Sequence, residues 1–116
     1  SRRQRQMCIR DSRSFDVHFP LSKIQYIYSN NHEVIIHTTN GTHAFRLPFY
    51  SVTDHLNDSR FLQCNRGIML NMDYIKTMES DYFEMTDSKC FPIKTKGRKQ
   101  IRDQYIKYQF LKLEEA

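Results

Sequence analysis

Apolar and polar residues alternate along most of the chain in short runs, and turn-forming residues separate these runs. This pattern is typical of β-strands joined by hairpins. The dipeptide Asn40-Gly41 between two runs is the strongest hairpin signal in the sequence. Pro92 indicates that the last strand lies at a sheet edge, because proline cannot donate a hydrogen bond to a strand ladder. The predicted strands cover residues 15–19, 24–28, 33–38, 42–47, 61–64, 68–70, 75–78, 82–85 and 89–93.

Two segments change to helical spacing. Phe49, Val52 and Leu56 stand at i, i+3 and i+7, which predicts a short helix from Phe49 or the preceding proline to about residue 57. A second apolar stripe follows Arg98 and predicts a C-terminal helix that closes the domain or supports a self-contact. That stripe consists of Ile101, Tyr105, Tyr108 and Leu111. The expected fold is mainly β, with a short central helix and a C-terminal helix.

The length of 116 residues suits one folded domain, which we expect to span residues 15–116. Residues 1–14 are polar and basic and lack apolar periodicity, so we expect a disordered arm there. The string from Arg2 to Ser12 resembles translated read-through of a sequencing primer, which would make this arm non-native. We therefore assign no function to its arginines.

Neither a membrane span nor an export signal is apparent. The longest apolar run is far shorter than the roughly 20 residues that a bilayer requires, and no apolar segment follows the basic N-terminus. Cys8, Cys64 and Cys90 form no C-x-x-C pair, so neither a disulfide framework nor a zinc site is indicated. We expect a cytoplasmic protein without a metal.

The net charge of +5 is distributed unevenly. Residues 1–13 carry +4, residues 14–88 carry −4 and residues 89–112 carry +7. A neutral-to-acidic body with one concentrated basic segment is typical of a surface that binds a polyanion. A solvated helix face is the alternative explanation of the same charge cluster.

Residues 24–98 resemble the LytTR DNA-binding domain family at four places, in the order and spacing of the family. Residues 24–38 resemble its opening hairpin, and residues 47–56 resemble its short amphipathic helix. Residues 61–71 resemble its central F-x-R-x-H-R-S-x-x-V-N block. Residues 91–96 stand where I-P-V-S-R-R is usual. The resemblance covers about two-thirds of the chain.

Several positions depart from the family pattern. Gln63, Asn65, Gly67, Lys94 and Thr95 replace the usual Arg, His, Ser, Ser and Arg, respectively. The apolar frame remains, together with Phe61, Arg66, Asn71 and Pro92. We therefore expect family membership with a changed DNA sequence preference. Asn71 itself is expected to cap or bridge the backbone.

The resemblance implies an elongated fold of short antiparallel sheets whose loops reach into successive grooves of duplex DNA. It implies sequence-specific binding of double-stranded promoter DNA by a bacterial transcriptional regulator of the response-regulator type, within a two-component system. It also implies a homodimer on paired sites as one arrangement, and a fused or separate receiver or membrane domain upstream. The alternative function is a LytTR-like protein-interaction or regulatory module that has lost specific DNA readout.

The candidate DNA contacts lie in three segments. His32 matches a DNA-facing position of the family, whereas Asn31 beside it is also explained by hairpin geometry. Arg66 can form two hydrogen bonds to a guanine edge, and a surface ion pair is the alternative. The lysines after residue 93 suit phosphate neutralisation. The predicted DNA-binding residues are Asn31, His32, Asn65, Arg66, Lys94, Thr95, Lys96, Arg98 and Lys99.

Catalysis is not indicated, because the sequence has no phosphate-binding glycine loop, no G-x-S-x-G and no carboxylates clustered around a histidine. We expect a protein that is not an enzyme and uses no cofactor or small-molecule substrate. Cys64 and Cys90 lie on strands that the family places side by side. They would form a redox pair if their Cα atoms approach within about 7 Å, and inert buried thiols are the alternative.

Overall fold

The computed structural model of this chain describes residues 5–10 and 15–115. The chain divides into two compact units, Ser1–Asn57 and Asp58–Ala116. The expectation of a mainly β fold of short antiparallel sheets with two helices is confirmed.

The first unit begins with an antiparallel hairpin of β1 (Gln6–Arg10) and β2 (Asp16–Pro20). Met7 lies opposite Phe19 in this hairpin, and both side chains are buried. The structure differs here from the expected disordered arm, because Met7 and Ile9 alternate with polar residues and bury one face of the strand. The rest of that arm, residues 1–4 and 11–14, lies outside the described residues.

Three further strands of the first unit form an antiparallel meander. They are β3 (Ile24–Asn30), β4 (Glu33–Thr38) and β5 (Gly41–Phe45). The hairpin signal at Asn40-Gly41 is confirmed, but its turn lies one residue earlier than expected, since Gly41 is already paired with Thr38. The Thr38 hydroxyl accepts a bond from the Asn40 amide at 3.1 Å and donates to the Gly41 carbonyl at 2.9 Å. This side chain closes the turn.

The short helix α1 (Phe49–Thr53) ends earlier than predicted. The amides of His55 and Leu56 bond to carbonyls three residues before them, which is 3-10 rather than α-helical bonding. Phe49, Val52 and Leu56 are all buried, so the predicted apolar face is confirmed although the helix is short.

The second unit contains a hairpin and a three-stranded sheet, both antiparallel. The hairpin consists of β6 (Phe61–Asn65) and β7 (Ile68–Asn71). The sheet has the order β10–β9–β8, formed by β8 (Ile75–Met78), β9 (Tyr82–Met85) and β10 (Cys90–Pro92). Pro92 therefore lies on an edge strand, as predicted. Asn71 is fully buried and caps the 3-10 turn Met72–Tyr74 by accepting a bond from the Asp73 amide at 2.9 Å, which is the expected structural role.

Helix α2 (Arg98–Glu115) packs on the second unit through the first half of the predicted apolar stripe. Ile101 and Tyr105 are buried, and the Tyr105 ring lies edge-on to Phe83 with 5.6 Å between the centroids. Burial raises the pKa of Tyr105. Tyr108 donates to an Asp73 carboxylate oxygen at 2.6 Å, but Leu111 is 47% exposed, so the stripe leaves the core beyond Tyr108. No helix of the described residues combines the length and the apolar character needed to cross a bilayer.

Candidate nucleic-acid interface

The turn between β6 and β7 presents Arg66. Gly67 follows it with a φ of +70°, a left-handed conformation that glycine adopts without a steric cost. Asn65 stabilises the turn from inside, because its side-chain oxygen accepts a bond from the Arg66 amide at 2.7 Å. The Arg66 side chain is exposed, and its guanidinium has no hydrogen-bond or ion-pair partner among the described residues.

Two hydrogen bonds join this turn to the segment after β10. The Asn65 amide nitrogen donates to the Pro92 carbonyl at 3.3 Å, and the Lys94 amide donates to the Cys64 carbonyl at 2.9 Å. Because both polar ends of the Asn65 side chain are used inside the protein, we interpret Asn65 as a positioning residue. The predicted contact at Arg66 is thus brought beside Lys94.

The exposed cations after β10 lie in a turn that leads into α2. Lys94, Thr95 and Lys96 are all exposed. Gly97 has a φ of +78°, and the Arg98 amide bonds back to the Thr95 carbonyl at 3.3 Å. We call Arg66 together with residues 94–96 the basic turn cluster. It combines one planar guanidinium with two ammonium groups and a hydroxyl.

Arg98 and Lys99 differ from the cations of the basic turn cluster, because each has a side-chain partner in its own chain. Arg98 is half-buried, and its Nη2 donates to the Ile93 carbonyl at 2.7 Å, so its guanidinium holds the backbone just after β10 in place. Lys99 forms an ion pair with Asp103 at 2.9 Å on the exposed face of α2. A solvated pair one helical turn apart is weak, so a phosphate could still compete for Lys99.

Some cations of the basic segment at residues 89–112 have an acidic partner within the described part of the chain, and others do not. Lys112 lies 3.8 Å from Asp73, the carboxylate that Tyr108 contacts. Burial and this carboxylate raise the pKa of Tyr108. The charge of the segment is therefore only partly available at the basic turn cluster, and sequence alone could not separate paired from unpaired cations.

The predicted contacts of the first unit lie in the two-residue turn between β3 and β4. Asn31 has a φ of +57°, a conformation that asparagine tolerates better than most residues, which supports the geometric explanation of its presence. His32 is exposed in the same turn. Both residues line an open groove of about 430 Å³, together with Ser29, Glu33, Arg46, Leu47, Pro48 and Phe49. The sequence analysis did not identify Arg46, since it stands alone among neutral residues without a motif.

Cys64 and Cys90 are free thiols in very different surroundings. Cys64 is fully buried, and burial raises the pKa of its thiol to about 12. Cys90 is exposed and donates to the Ser88 carbonyl at 3.8 Å. The described residues contain no disulfide between them. The observed state of Cys64 agrees with the inert-thiol alternative.

These surroundings predict different thiol reactivities. At pH 8, Cys64 should react slowly with a soluble disulfide reagent, because little of it is thiolate and the reagent cannot reach it. Cys90 and the exposed Cys8 should react quickly. The double variant Cys8→Ser/Cys90→Ser isolates Cys64, which should react only after denaturant is added. Rapid reaction of this variant in the native state would contradict the described burial.

Comparisons with known proteins agree with the fold. The model of the LytTR family, described as the LytTr DNA-binding domain, matches residues 16–105. Among solved structures, the chain is similar to the LytTr DNA-binding domain of a protein from Bacillus cereus described as a methyl-accepting/DNA response regulator. That similarity has a TM-score of 0.67 and 15% sequence identity, and it covers 85% of this chain and 94% of the other. No curated protein matches the chain. Since the family match spans most of the sequence, this chain belongs to the LytTR family of DNA-binding domains.

Proposed function

We propose that this domain binds double-stranded DNA with sequence preference and acts as the output domain of a bacterial transcriptional regulator of the response-regulator type. The observation that carries this proposal is the basic turn cluster, in which an unpaired, exposed Arg66 lies beside the exposed segment 94–96. Family membership supports DNA as the polyanion. The protein that contains the similar Bacillus cereus domain is described as a methyl-accepting/DNA response regulator, which supports a two-component context.

The side chains of the cluster suit different parts of DNA. The planar guanidinium of Arg66 can donate two parallel hydrogen bonds to guanine O6 and N7, which no other base offers together. Lys94 and Lys96 are flexible point charges, and these suit phosphate oxygens, which carry no sequence information. We therefore assign base reading to Arg66 and affinity to the lysines. Thr95 can donate or accept at either target.

The first unit would contribute through His32. Its imidazole is exposed in the two-residue turn between β3 and β4, so either ring nitrogen can meet a base edge or a phosphate. Asn31 next to it primarily shapes the turn.

A homodimer on paired sites is part of this proposal. Three exposed residues of α2, Ile106, Phe110 and Leu113, are spaced by four and three positions and so share one helix face. Lys107 and Glu114 flank this face seven residues apart, so two antiparallel copies would place opposite charges together. The small apolar area implies a weak dimer that forms on DNA.

The competing function is an interaction module without specific DNA readout. The use of the Asn65 amide inside the protein favours this alternative, because a position that could read a base is occupied. Arg66 matches the arginine of the family pattern and has no side-chain partner among the described residues, which favours base reading on DNA. A cytoplasmic location and an upstream receiver or membrane domain belong to the DNA-binding proposal.

Selection from a pool of random duplexes at one stated salt concentration tests the proposed function. We expect an enriched motif containing at least one guanine that Arg66 reads, with two half-sites about one helical turn apart if α2 mediates a dimer. Deleting residues 1–4, which precede β1, should leave the motif unchanged. Recovery of random sequence only would refute specific readout and favour the interaction module.

A further inference from the structure

We infer that Arg46 binds a backbone phosphate of the same duplex, through the open groove beside the β3–β4 turn. This inference rests on the proposed function and extends it to a residue outside the predicted DNA contacts. The groove measures about 430 Å³ and is lined entirely by residues of the first unit. A volume of this size falls within the range of ordinary ligand sites.

The position of Arg46 is fixed by the backbone, because the Leu47 amide bonds to the Phe45 carbonyl at 3.0 Å. This bond closes a three-residue turn centred on Arg46, directly after β5. The Arg46 side chain is exposed and has no hydrogen-bond or ion-pair partner within residues 5–10 and 15–115. A side chain on a fixed backbone, free of internal bonds, is available for an external anion.

The other cations in the described part of the first unit do not line this groove. Arg5 donates to the Asn57 carbonyl at 3.2 Å, and Arg10 is paired with Asp16 at 3.1 Å. Lys23 lines a different cavity together with Val17 and Thr38. Arg46 is therefore the fixed positive charge of the groove.

The lining of the groove fits a phosphodiester chain. Ser29, Asn31 and His32 add hydrogen-bonding groups on the side of the turn, and Leu47 and Pro48 form an apolar wall against which a deoxyribose can lie. Phosphate and sugar contacts of this kind fix the register of a protein on DNA. Arg46 would thus position the turn that carries His32.

Glu33 is the one acidic residue of the groove lining, and it opposes phosphate binding. No ion pair joins Glu33 to Arg46 among the described residues. Removing its charge with Glu33→Gln should therefore strengthen binding to every duplex alike. Unchanged or weaker binding by Glu33→Gln would contradict the placement of a phosphate in this groove.

The test compares Arg46→Ala with Lys23→Ala, which removes an equal charge from the same unit at a different cavity. Affinity for the selected duplex is measured over a series of salt concentrations. One lost phosphate contact lowers the log-log salt slope by about 0.9, and at about 0.1 M salt this corresponds to roughly eightfold weaker binding. We expect this change for Arg46→Ala, and little change of slope for Lys23→Ala.

Two further outcomes overturn the inference. Equal effects of the two variants would mean that only overall charge matters. An unchanged slope for Arg46→Ala, with intact binding by the unmodified chain, would remove Arg46 from the interface and leave the proposed function standing. A failure of the unmodified chain to bind any duplex would instead refute the proposed function itself.

Discussion

Replacing Phe83 by alanine is expected to lower the free energy of unfolding by about 3–5 kcal/mol, the usual cost of emptying a large aromatic site in a core. Phe83 is fully buried on the central strand β9, where its neighbours across the sheet are Met78 and Phe91. Its ring also contacts Tyr105 of α2 edge-on. The cavity would therefore weaken both the sheet and the packing of α2 against Phe83. Urea unfolding followed by circular dichroism measures the change.

Tyr82→Ala provides the matched control. Tyr82 precedes Phe83 on the same strand, but it points to the opposite face and is 37% exposed. Its loss should cost far less than the loss of Phe83. Similar costs for the two variants would contradict the described orientation of β9, and with it the packing that holds α2 and the basic turn cluster.

Arg66→Ala should weaken binding to the selected duplex by roughly 1–3 kcal/mol and relax the preference at one base position. The reason is that Arg66 is exposed without a partner in the described chain, so its loss removes a contact with DNA and no contact that holds the fold. Affinities for the selected duplex and for variants at each position, measured at constant salt, give both quantities.

Lys96→Ala is the control for Arg66→Ala, since it removes one charge from the same basic turn cluster. It should weaken all duplexes alike and reduce the salt slope, because phosphates carry no sequence information. An Arg66→Ala variant that also weakened selected and random duplexes equally would refute the assignment of base reading to Arg66.

The strands of the core follow directly from the sequence, because one buried face forces apolar residues to every second position. Tyr82–Met85 coincides with its predicted bounds for this reason, since Phe83 and Met85 are buried on one face. Ile75–Met78 also coincides with its predicted bounds, although its register shifts between Ile75 and Thr77. β1 was missed, because only Met7 and Ile9 carry its pattern within a segment dominated by arginine. The basic composition hid the apolar face of this strand, which has only two residues. In the structure, these two residues lie opposite Phe19 and Val17 of β2.

The candidate site was predictable in its location but not in the roles of its residues. Family resemblance identified the turn at Arg66 and the segment at Lys94, and the structure brings these two together within the second unit. The family resemblance could not show that the Arg98 guanidinium bonds to the Ile93 carbonyl, because a sequence does not state which way a side chain points. Arg46 was missed for a similar reason. The groove that it lines is formed by the turn of the backbone after β5, which the sequence does not reveal.

Sequence-specific binding of duplex DNA is the central claim, and a competition titration tests it most directly. The selected duplex and a shuffled duplex of the same length and composition are compared at one physiological salt concentration. We predict an affinity ratio of at least about 10³, the lower end for specific DNA-binding proteins. Equal affinities for the two duplexes would contradict the claim, because charge attraction alone cannot distinguish them.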